Sequence, residues 1–277
     1  MKVLVLGGNG MAGHMIVNYL KKKTDFDVMY TRRGSHSKDS ISLDVRNFTD
    51  VEDVIMKHRP DIVINAVGLL NDHAEKQVED ALLVNSLLPY HLANLLDSMH
   101  SKLIHISTDC VFSGNKGEYV ETDEKDGTSV YAKTKALGEI ERSPHLTIRT
   151  SIIGPELKED GIGLFLWFMK QKGTINGYSN VYWNGVTTLQ LAKAIERCIK
   201  ENVSGLYHLC HETKISKYEL LKLFKRIFNK EDVTILPYEH IQNDKSLKNT
   251  RDDVPSGIPG YEEMLYELKA WMRDETK

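Results

Sequence analysis

The chain opens with the stretch that decides its fold, Lys2-Val3-Leu4-Val5-Leu6-Gly7-Gly8-Asn9-Gly10-Met11-Ala12-Gly13. Before the first glycine there is a short and mostly apolar run, which is typical of a parallel strand buried on both faces. Apolar residues then recur with helical spacing from residue 11 to residue 20. We therefore predict a strand, a glycine-rich turn and a helix in direct succession.

The glycines of this turn stand three residues apart, and each has its own use. Gly7 allows the tight turn, Gly10 lets the backbone approach a pyrophosphate, and Gly13 lets the helix pack closely on the strand. A helix N-terminus holds phosphate through its free N–H groups and its dipole. The position of the pattern between a strand and a helix predicts a dinucleotide-binding turn. The alternative is a tight turn in an α/β protein that binds no cofactor.

The second predicted strand, at residues 27–31, indicates which dinucleotide is bound. In NAD-specific proteins an acidic residue near the end of this strand binds the ribose hydroxyls. Here the strand runs into Arg32 and Arg33, two guanidinium groups suited to a phosphate, and no acid is present. We therefore predict NADP rather than NAD as the cofactor, with two solvated loop arginines as the alternative.

Strands and helices alternate along the rest of the first half. Apolar runs predict strands at residues 41–45, 60–68, 103–108 and 145–150, and helical spacing predicts helices at 50–58 and 78–98 (with a kink at Pro89 and Tyr90). A further helix, which carries Tyr131 and Lys135, is predicted to start after Thr128-Ser129 and to run to about residue 140. This alternation predicts an α/β protein, with a Rossmann-like doubly wound parallel sheet over residues 1–155. Residues 156–277 show a looser pattern, including short strands at 205–210 and 233–236. We expect them to form a smaller substrate-binding cap that shares a core with the first region.

The composition argues against several classes of function. The formal net charge of −3 gives no general attraction to nucleic acid or to an anionic membrane. The three cysteines cannot build a disulfide framework, and the first apolar run is too short for a signal peptide. No stretch approaches the roughly 20 apolar residues of a membrane span. We therefore expect a cytoplasmic protein without nucleic-acid, membrane or metal sites, in which the apolar run 164–169 suits the core or a homodimer interface.

Tyr131 and Lys135 are spaced so that the predicted helix places them on one face. A phenol is a poor proton donor near neutral pH, and a cation held close to it lowers its pKa. Such a tyrosine exchanges a proton with a sugar or alcohol oxygen. Thr108 stands at the carboxyl end of a predicted strand, where open α/β sheets bind ligands. The three residues are therefore candidate catalytic groups; the alternative is a surface tyrosine beside a surface lysine.

With these residues in place, the whole chain resembles the extended short-chain dehydrogenase/reductase family, and within it the dTDP-4-dehydrorhamnose reductase group. The resemblance is strongest over residues 1–155. It is carried by the glycine turn and by Leu43-Asp44-Val45, Asn65-Ala66-Val67-Gly68, Val84-Asn85-Ser86, Ser107-Thr108-Asp109-Cys110-Val111-Phe112, Tyr131-Ala132-Lys133-Thr134-Lys135 and Ile148-Arg149-Thr150-Ser151.

The resemblance implies an enzyme that uses NADPH to reduce the C4 ketone of a nucleotide-linked 4-keto-6-deoxy sugar, in deoxysugar biosynthesis for surface polysaccharide. It assigns Tyr131 as the proton donor and Lys135 as the residue that lowers its pKa and holds the nicotinamide ribose. Thr108 would hydrogen-bond the reacting oxygen. The implied cofactor groove is formed by Gly7, Asn9, Gly10, Met11, Ala12, Gly13, Arg32, Arg33, Asp44, Val45, Asn65, Ala66, Val67 and Lys135.

Two positions that face the sugar in this group depart from its pattern. The reductases commonly have Tyr after Ser-Thr-Asp and Trp after Arg-Thr-Ser, whereas this chain has Cys110 and Ile152. We expect Asp109, Cys110, Ile152 and Trp183 to contact the substrate. Because of the departures, a UDP-linked 4-keto-6-deoxy-N-acetylhexosamine is an alternative substrate to dTDP-4-dehydrorhamnose.

Three related functions fit the sequence less well. A sugar-nucleotide 4,6-dehydratase typically has an Asp-Glu pair after the catalytic threonine, and here Cys110 replaces the glutamate. An epimerase needs tightly retained NAD, which Arg32 and Arg33 disfavour. A non-catalytic NADP-binding regulatory subunit, like that of methionine adenosyltransferase, belongs to another class of function. Because the candidate catalytic residues are all present, nothing in the sequence shows that catalysis was lost.

Overall fold

Strands and helices follow one another along the whole chain. The structure is a computed structural model that describes residues 1–34 and 40–275. In chain order its elements are β1 (Lys2–Leu6), α1 (Met11–Lys23), β2 (Asp27–Arg32), β3 (Ile41–Ser42), α2 (Phe48–His58), β4 (Ile62–Asn65), α3 (Asn71–Lys76), α4 (Val78–Ala81), α5 (Leu88–Ser98), β5 (Lys102–Ile106), α6 (Val130–Leu137), β6 (Leu146–Arg149), β7 (Ile152–Ile153), α7 (Leu164–Lys170), β8 (Gly173–Trp183), β9 (Val186–Thr187), α8 (Thr188–Lys200), β10 (Gly205–His208), β11 (Ile215–Ser216), α9 (Lys217–Phe228), β12 (Val233–Asp244) and α10 (Tyr261–Glu275).

A seven-stranded sheet forms the centre of the protein, with its strands in the order β10-β6-β5-β4-β1-β2-β3. Every neighbouring pair in it is parallel. Strand β1 lies between β2 and β4, so the chain first winds outward to β3 and then returns to the other side of β1. A crevice opens at such a switch point, at the carboxyl ends of the strands, and it is where ligands bind in open α/β sheets. The predicted doubly wound fold is confirmed.

Both faces of the sheet are covered, because alternate residues of a strand point to opposite faces. Val3 and Val5 pack with helices α1, α8 and α10 in one core. Leu4 and Leu6 pack with α2 and α5 in the other. All four side chains are fully buried, which explains why β1 reads as a continuous apolar run.

The second half of the chain contains a sheet that was not predicted. Strand β8 pairs in parallel with β12 and antiparallel with β11, and helix α9 packs beside them. The predicted strand at 233–236 is too short, since β12 continues to Asp244, and β8 was missed altogether. Most side chains of both strands are exposed or half-buried, so neither strand presents an apolar run. Strand β10 leaves this region and pairs with β6 in the central sheet.

The predicted single helix at 78–98 is divided. Helix α4 gives way to a π-helical segment, Leu82–Leu87, and α5 follows it. The irregularity is this π-helical segment, which ends two residues before Pro89, and not a kink at Pro89 and Tyr90 themselves. None of the helices within residues 1–34 and 40–275 combines the length and the apolar character that crossing a membrane requires.

Candidate active site

The glycine turn lies at the mouth of the crevice, against the end of β4. Gly7 has φ +81°, and a Cβ there would lie 2.8 Å from the Val67 side chain. A Cβ on Gly13 would lie 2.1 Å from the Gly7 carbonyl oxygen. The predicted uses of Gly7 and Gly13, a tight turn and close packing, therefore match the geometry. Gly10 is the N-cap of α1 and offers no side chain to its first N–H groups, which suits an anionic ligand.

The end of β2 brings the two arginines to the same side of the crevice. The backbone N–H of Gly8 donates to the Thr31 carbonyl at 2.8 Å, which ties the glycine turn to this strand. Arg32 closes the strand and Arg33, exposed, follows it. The backbone of both arginines therefore lies close along the chain to the strand residue that is bonded to the turn predicted to bind pyrophosphate.

Asp44 and Val45 follow β3 in this neighbourhood, and Val45 is buried. The Asp44 carboxylate accepts hydrogen bonds from Arg46, including one of 2.5 Å from Nη2, and Arg46 also bonds Asp80 at 2.9 Å. Hydrogen bonds from Arg46 hold the pKa of Asp44 below its usual range. Because its carboxylate is already paired, Asp44 is a poor substitute for the ribose-binding acid that β2 lacks.

Tyr131 lies in the first turn of α6 and is 8% exposed. The helix begins there because the Ser129 hydroxyl accepts a hydrogen bond from the Ala132 N–H at 3.1 Å. The hydroxyl of Thr108 caps the short 3-10 turn Asp109–Val111 by accepting from the Cys110 N–H at 3.1 Å. The Thr108 side chain lies near enough to Tyr131 to lower the pKa of the phenol, against the larger effect of burial. The structure thus places two of the three predicted catalytic residues close together.

Lys135 is not among the groups that shift the pKa of Tyr131 in this structure, so its predicted effect on the phenol stays a prediction. Burial raises the pKa of Tyr131 above its usual range. The Lys135 amine instead donates to the carbonyl of Ile106 at 2.7 Å and lies 3.1 Å from His105 Nε2. Because the amine is held against β5, its charge is not among the interactions that shift the phenol. Burial also lowers the pKa of Lys135 to about 8, against the charge of Glu139.

Glu139 anchors the strand that leads into Thr108. Its carboxylate accepts a hydrogen bond of 2.7 Å from Ser107 Oγ and two of 2.8 Å from Arg149. Lys125 adds a fourth at 2.9 Å. Burial alone would raise the pKa of Glu139, but the hydrogen bonds and charge of Arg149 outweigh it and lower the pKa. This ionised carboxylate fixes the position of Ser107, and with it the position of Thr108.

Asp109 and Cys110 directly follow Thr108, as expected for residues near the substrate. Burial raises the pKa of Asp109, opposed by the charges of Lys245 and Lys217. Burial also raises the pKa of Cys110 to about 11, so its thiol stays protonated and is a poor nucleophile. Both side chains are therefore better suited to shaping a pocket than to covalent chemistry.

Trp183 and Ile152 come from other parts of the fold. Ile152 begins β7, and Trp183 ends β8 with only 2% of its surface exposed. The indole Nε1 of Trp183 is buried and has no hydrogen-bond partner among the residues that the structure describes. A buried donor without a partner is costly, and a ligand oxygen would satisfy it.

Lys217, the first residue of α9, is a site residue that the sequence did not reveal. Its ammonium lies 5.4 Å from the centre of the Trp183 ring. Burial lowers its pKa to about 8, opposed by the negative charge of Asp109. A lysine at the start of a helix has no sequence pattern that distinguishes it from a surface lysine, and only the packing of α9 against β8 places it here. Within residues 1–34 and 40–275, no cluster of side chains is arranged to hold a metal ion.

Comparison with known proteins shows the family of the chain. The sequence profile described as the RmlD substrate binding domain matches residues 1–256. The chain belongs to this family. The expected resemblance to the dTDP-4-dehydrorhamnose reductase group is confirmed.

Individual relatives are distant from this chain in sequence, and a solved structure is close to it in fold. The dTDP-4-dehydrorhamnose reductase of Aggregatibacter actinomycetemcomitans is 28% identical over 230 residues, which cover 79% of this chain and 76% of the relative. Methionine adenosyltransferase 2 subunit beta of Danio rerio is 25% identical over 250 residues, which cover 85% of this chain and 76% of the relative. The crystal structure of dTDP-4-dehydrorhamnose reductase from Bacillus anthracis in complex with NADP superposes with a TM-score of 0.81. It is 21% identical to this chain, and the match covers 98% of this chain and 99% of that one.

Proposed function

We propose that this chain reduces the C4 ketone of a nucleotide-linked 4-keto-6-deoxy sugar, with NADPH as the reductant. The observation that carries the proposal is that the Tyr131 and Thr108 side chains lie close together, just beyond the carboxyl end of β5. Two neighbouring hydroxyl groups can both bind one carbonyl oxygen. Members of the family bear the name dTDP-4-dehydrorhamnose reductase, which is the same class of reaction.

The residues around the glycine turn fit NADP. Gly7 and Gly13 leave room for the backbone to approach a ligand, and the uncapped start of α1 offers N–H groups to a pyrophosphate. Arg32 and Arg33 supply the positive charge that a ribose phosphate needs. When bound, NADPH supplies the hydride for the reduction. We assign Asn9, Met11, Ala12, Asp44, Val45, Asn65, Ala66 and Val67 to the walls of the same groove.

The side chains at the end of β5 supply the proton and stabilise charge. Because burial raises the pKa of Tyr131, the phenol carries its proton at neutral pH. It gives that proton to the substrate oxygen as negative charge develops there. Thr108 donates a second hydrogen bond to that oxygen as negative charge develops on it. Lys135 holds the nicotinamide ribose from the next turn of the same helix. A buried, water-poor site makes each of these interactions stronger than it would be in water.

The substrate side of the site is formed by Asp109, Cys110, Ile152, Trp183 and Lys217. The unpartnered Nε1 of Trp183 and the ammonium of Lys217 are both donors, so they suit the hydroxyl and phosphate oxygens of a nucleotide sugar. Cys110 is smaller than the tyrosine common at this position in the reductase group. The extra space supports a UDP-linked 4-keto-6-deoxy-N-acetylhexosamine as the alternative substrate.

A second candidate function is a non-catalytic NADP-binding regulatory subunit. It is favoured by the similarity to methionine adenosyltransferase 2 subunit beta of Danio rerio. The catalytic constellation of Thr108, Tyr131 and Lys135 favours the reductase. If the protein is the reductase, we place it in the cytoplasm and in deoxysugar biosynthesis for surface polysaccharide. A homodimer stays a prediction.

The deciding experiment supplies purified protein with keto sugars made by separate 4,6-dehydratases from dTDP-glucose and from UDP-N-acetylglucosamine. Consumption of NADPH is followed by its absorbance, and the product is identified by mass spectrometry. Oxidation of NADPH with one sugar and not the other supports the reductase and identifies the nucleotide. Tight NADPH binding without turnover of either sugar would contradict the reductase function for these substrates and favour the regulatory subunit.

A further inference from the structure

A buried chain of hydrogen bonds leads from the end of β4 to Lys135. The backbone N–H of Val67 donates to Asn65 Oδ1 at 3.2 Å. Asn65 Nδ2 lies 3.2 Å from His105 Nδ1, and His105 Nε2 lies 3.1 Å from Lys135 Nζ. The amine then donates to the Ile106 carbonyl at 2.7 Å. Asn65 and His105 are 0% exposed and Lys135 is 3% exposed, so water does not replace these bonds.

The first hydrogen bond fixes which group donates and which accepts along the rest of this hydrogen-bond chain. A backbone N–H can only donate, so the side-chain atom of Asn65 that faces Val67 must be its oxygen. The NH₂ group of Asn65 therefore faces His105 Nδ1, and that nitrogen must carry a lone pair. Burial holds the pKa of His105 well below its usual range, so the imidazole is neutral. A neutral imidazole with a lone pair on Nδ1 has its proton on Nε2.

The proton on His105 Nε2 points at Lys135. An ammonium has no lone pair and cannot accept a hydrogen bond, whereas a neutral amine can. If Lys135 is protonated, either two donors face each other or the imidazole takes the other tautomer and faces the NH₂ group of Asn65. Each arrangement loses one buried hydrogen bond. Only the neutral amine satisfies all four groups, because it accepts from His105 and donates to Ile106.

We propose that Asn65 and His105 are positioning residues that govern whether Lys135 carries its extra proton, through a one-directional hydrogen-bond chain that ends on the lone pair of the amine. The chain favours release of this proton near neutral pH, in agreement with the pKa of about 8 that burial gives to Lys135. Neither residue touches the sugar in this role. The consequence for turnover rests on the proposed reductase function, but the protonation of Lys135 does not.

The other charged and polar groups around α6 do not favour the neutral form of Lys135. Glu139, one turn after Lys135, raises the pKa of the amine and is itself neutralised by Arg149. The π-helical segment contributes Asn85 and Ser86, which carry no charge and bond Thr134 and its carbonyl. The elements before and after β5 contribute groups that act elsewhere: Asp109 and Cys110 act on Tyr131, and Glu75 of α3 accepts from the Val130 N–H.

The first test uses the wild-type protein and needs no substrate. NMR of ¹⁵N-histidine-labelled protein reports which ring nitrogen of His105 carries the proton, with His105→Gln used to assign the signal. NMR of ¹³Cε-lysine-labelled protein gives the pKa of Lys135, assigned with Lys135→Arg. We expect the proton on Nε2 and a Lys135 pKa well below that of the surface lysines. A proton on Nδ1, or a Lys135 that titrates with the surface lysines, would overturn the proposal.

The second test reverses the chain with variants of Asn65. In Asn65→Asp, a carboxylate of the same shape accepts from Nδ1–H, so Nε2 presents a lone pair to the Lys135 ammonium. In Asn65→Leu the donor is removed without adding charge, and the imidazole is free to take the same tautomer. We expect the Lys135 pKa to rise in both, by about one unit in Asn65→Leu, because one hydrogen bond is worth about that much. If the Lys135 pKa rises in Asn65→Asp but not in Asn65→Leu, the added negative charge causes the rise. That result would contradict a hydrogen-bond chain with a fixed donor-to-acceptor direction.

Measuring the activity of the same proteins distinguishes a failure of the hydrogen-bond proposal from a failure of the proposed reductase function. With an active keto sugar, the alkaline limb of kcat should move to higher pH in Asn65→Leu in step with the NMR titration. NADPH binding and thermal unfolding identify variants that fail to fold, and the wild-type NMR result stands without them. If the NMR results are as expected but no sugar is reduced, the reductase function fails while the chain is supported. If wild type reduces the sugar but the pH dependence of kcat is the same in Asn65→Leu, the protonation of Lys135 does not affect turnover, and that part of the proposal fails.

Discussion

Glu139 and Arg149 form a fully buried ion pair directly beneath the candidate active site. Arg149 Nε and Nη2 each donate to one carboxylate oxygen at 2.8 Å, and both side chains have 0% exposed surface. The geometry is bidentate, which is the strongest arrangement available to these two groups. The same carboxylate holds Ser107, the residue before Thr108.

Removing the charge at Glu139 should destabilise the protein strongly. In Glu139→Gln the Arg149 guanidinium is left buried without its counter-ion, and breaking such a pair costs about 3–5 kcal/mol. Urea unfolding followed by circular dichroism measures the loss. The matched control is Glu267→Gln, which breaks a half-exposed pair with Lys193 and should cost at most about 1 kcal/mol. Equal losses in both variants would contradict a special role for the buried pair.

The same pair gives stability a defined pH dependence. Because the pKa of Glu139 is lower in the folded protein than in the unfolded chain, its contribution is present above the unfolded value. That contribution is lost as the pH falls through the folded value. We expect the free energy of unfolding to fall more steeply on acidification in wild type than in Glu139→Gln. Parallel profiles would show that the carboxylate is not ionised in the folded state.

Tyr131→Phe should separate binding from chemistry. The variant keeps the ring but removes the hydroxyl that gives the proton, so kcat with the keto sugar should fall by about 10²–10⁴-fold. NADPH affinity, measured by fluorescence, should stay close to that of wild type. Tyr119→Phe is a control, because this buried hydroxyl serves loop residues such as Gly114 away from the site. Near-normal turnover in Tyr131→Phe would remove the phenol from the mechanism.

Gly13→Ala should weaken both folding and cofactor binding. Its Cβ would lie 2.1 Å from the Gly7 carbonyl oxygen, so α1 must move away from β1. We expect a loss of at least about 1–3 kcal/mol in unfolding free energy, with a lower affinity for NADPH. Gly260→Ala is the control, since no heavy atom lies within 4 Å of its added Cβ. A stable Gly13→Ala that binds NADPH normally would show that the turn is not packed as described.

Arg32 and Arg33 should govern the choice between NADPH and NADH. Replacing both with alanine removes charge-assisted hydrogen bonds to the ribose phosphate, so the Kd for NADPH should rise roughly 10- to 100-fold. NADH has no such phosphate, and its Kd should change little. Calorimetric titration of each cofactor into wild type and variant makes the comparison. Equal weakening of both cofactors would contradict phosphate recognition by these residues.

Lys217→Met should affect the sugar and not the cofactor. Methionine keeps the packing of the aliphatic chain on Trp183 and removes the ammonium, so KM for the keto sugar should rise about tenfold or more. The Kd for NADPH should not change. Lys222→Met, on the exposed side of the same helix, is the control. An unchanged KM in Lys217→Met would place this lysine outside the substrate site.

The N-terminal half of the fold was predictable because its signals are local. A strand buried on both faces must be apolar throughout, and the glycine turn after β1 has a steric reason at each position. Strands β8 and β12 were missed or shortened because their stability comes from pairing with each other, which leaves no apolar run in either one. Lys217 and His105 were missed for a related reason. Their chemistry depends on neighbours far along the chain, and no spacing pattern marks them.

Strand β10 has a consequence for how the protein is made. Because it pairs with β6 at the edge of the central sheet, the sheet is complete only after residue 208 has left the ribosome. Until then the nascent chain exposes the unpaired edge of β6, and such edges readily pair with other chains. A truncated product that ends near residue 155 would keep that edge permanently. Such a fragment is therefore expected to aggregate on its own, so the cofactor-binding half is a poor candidate for separate expression.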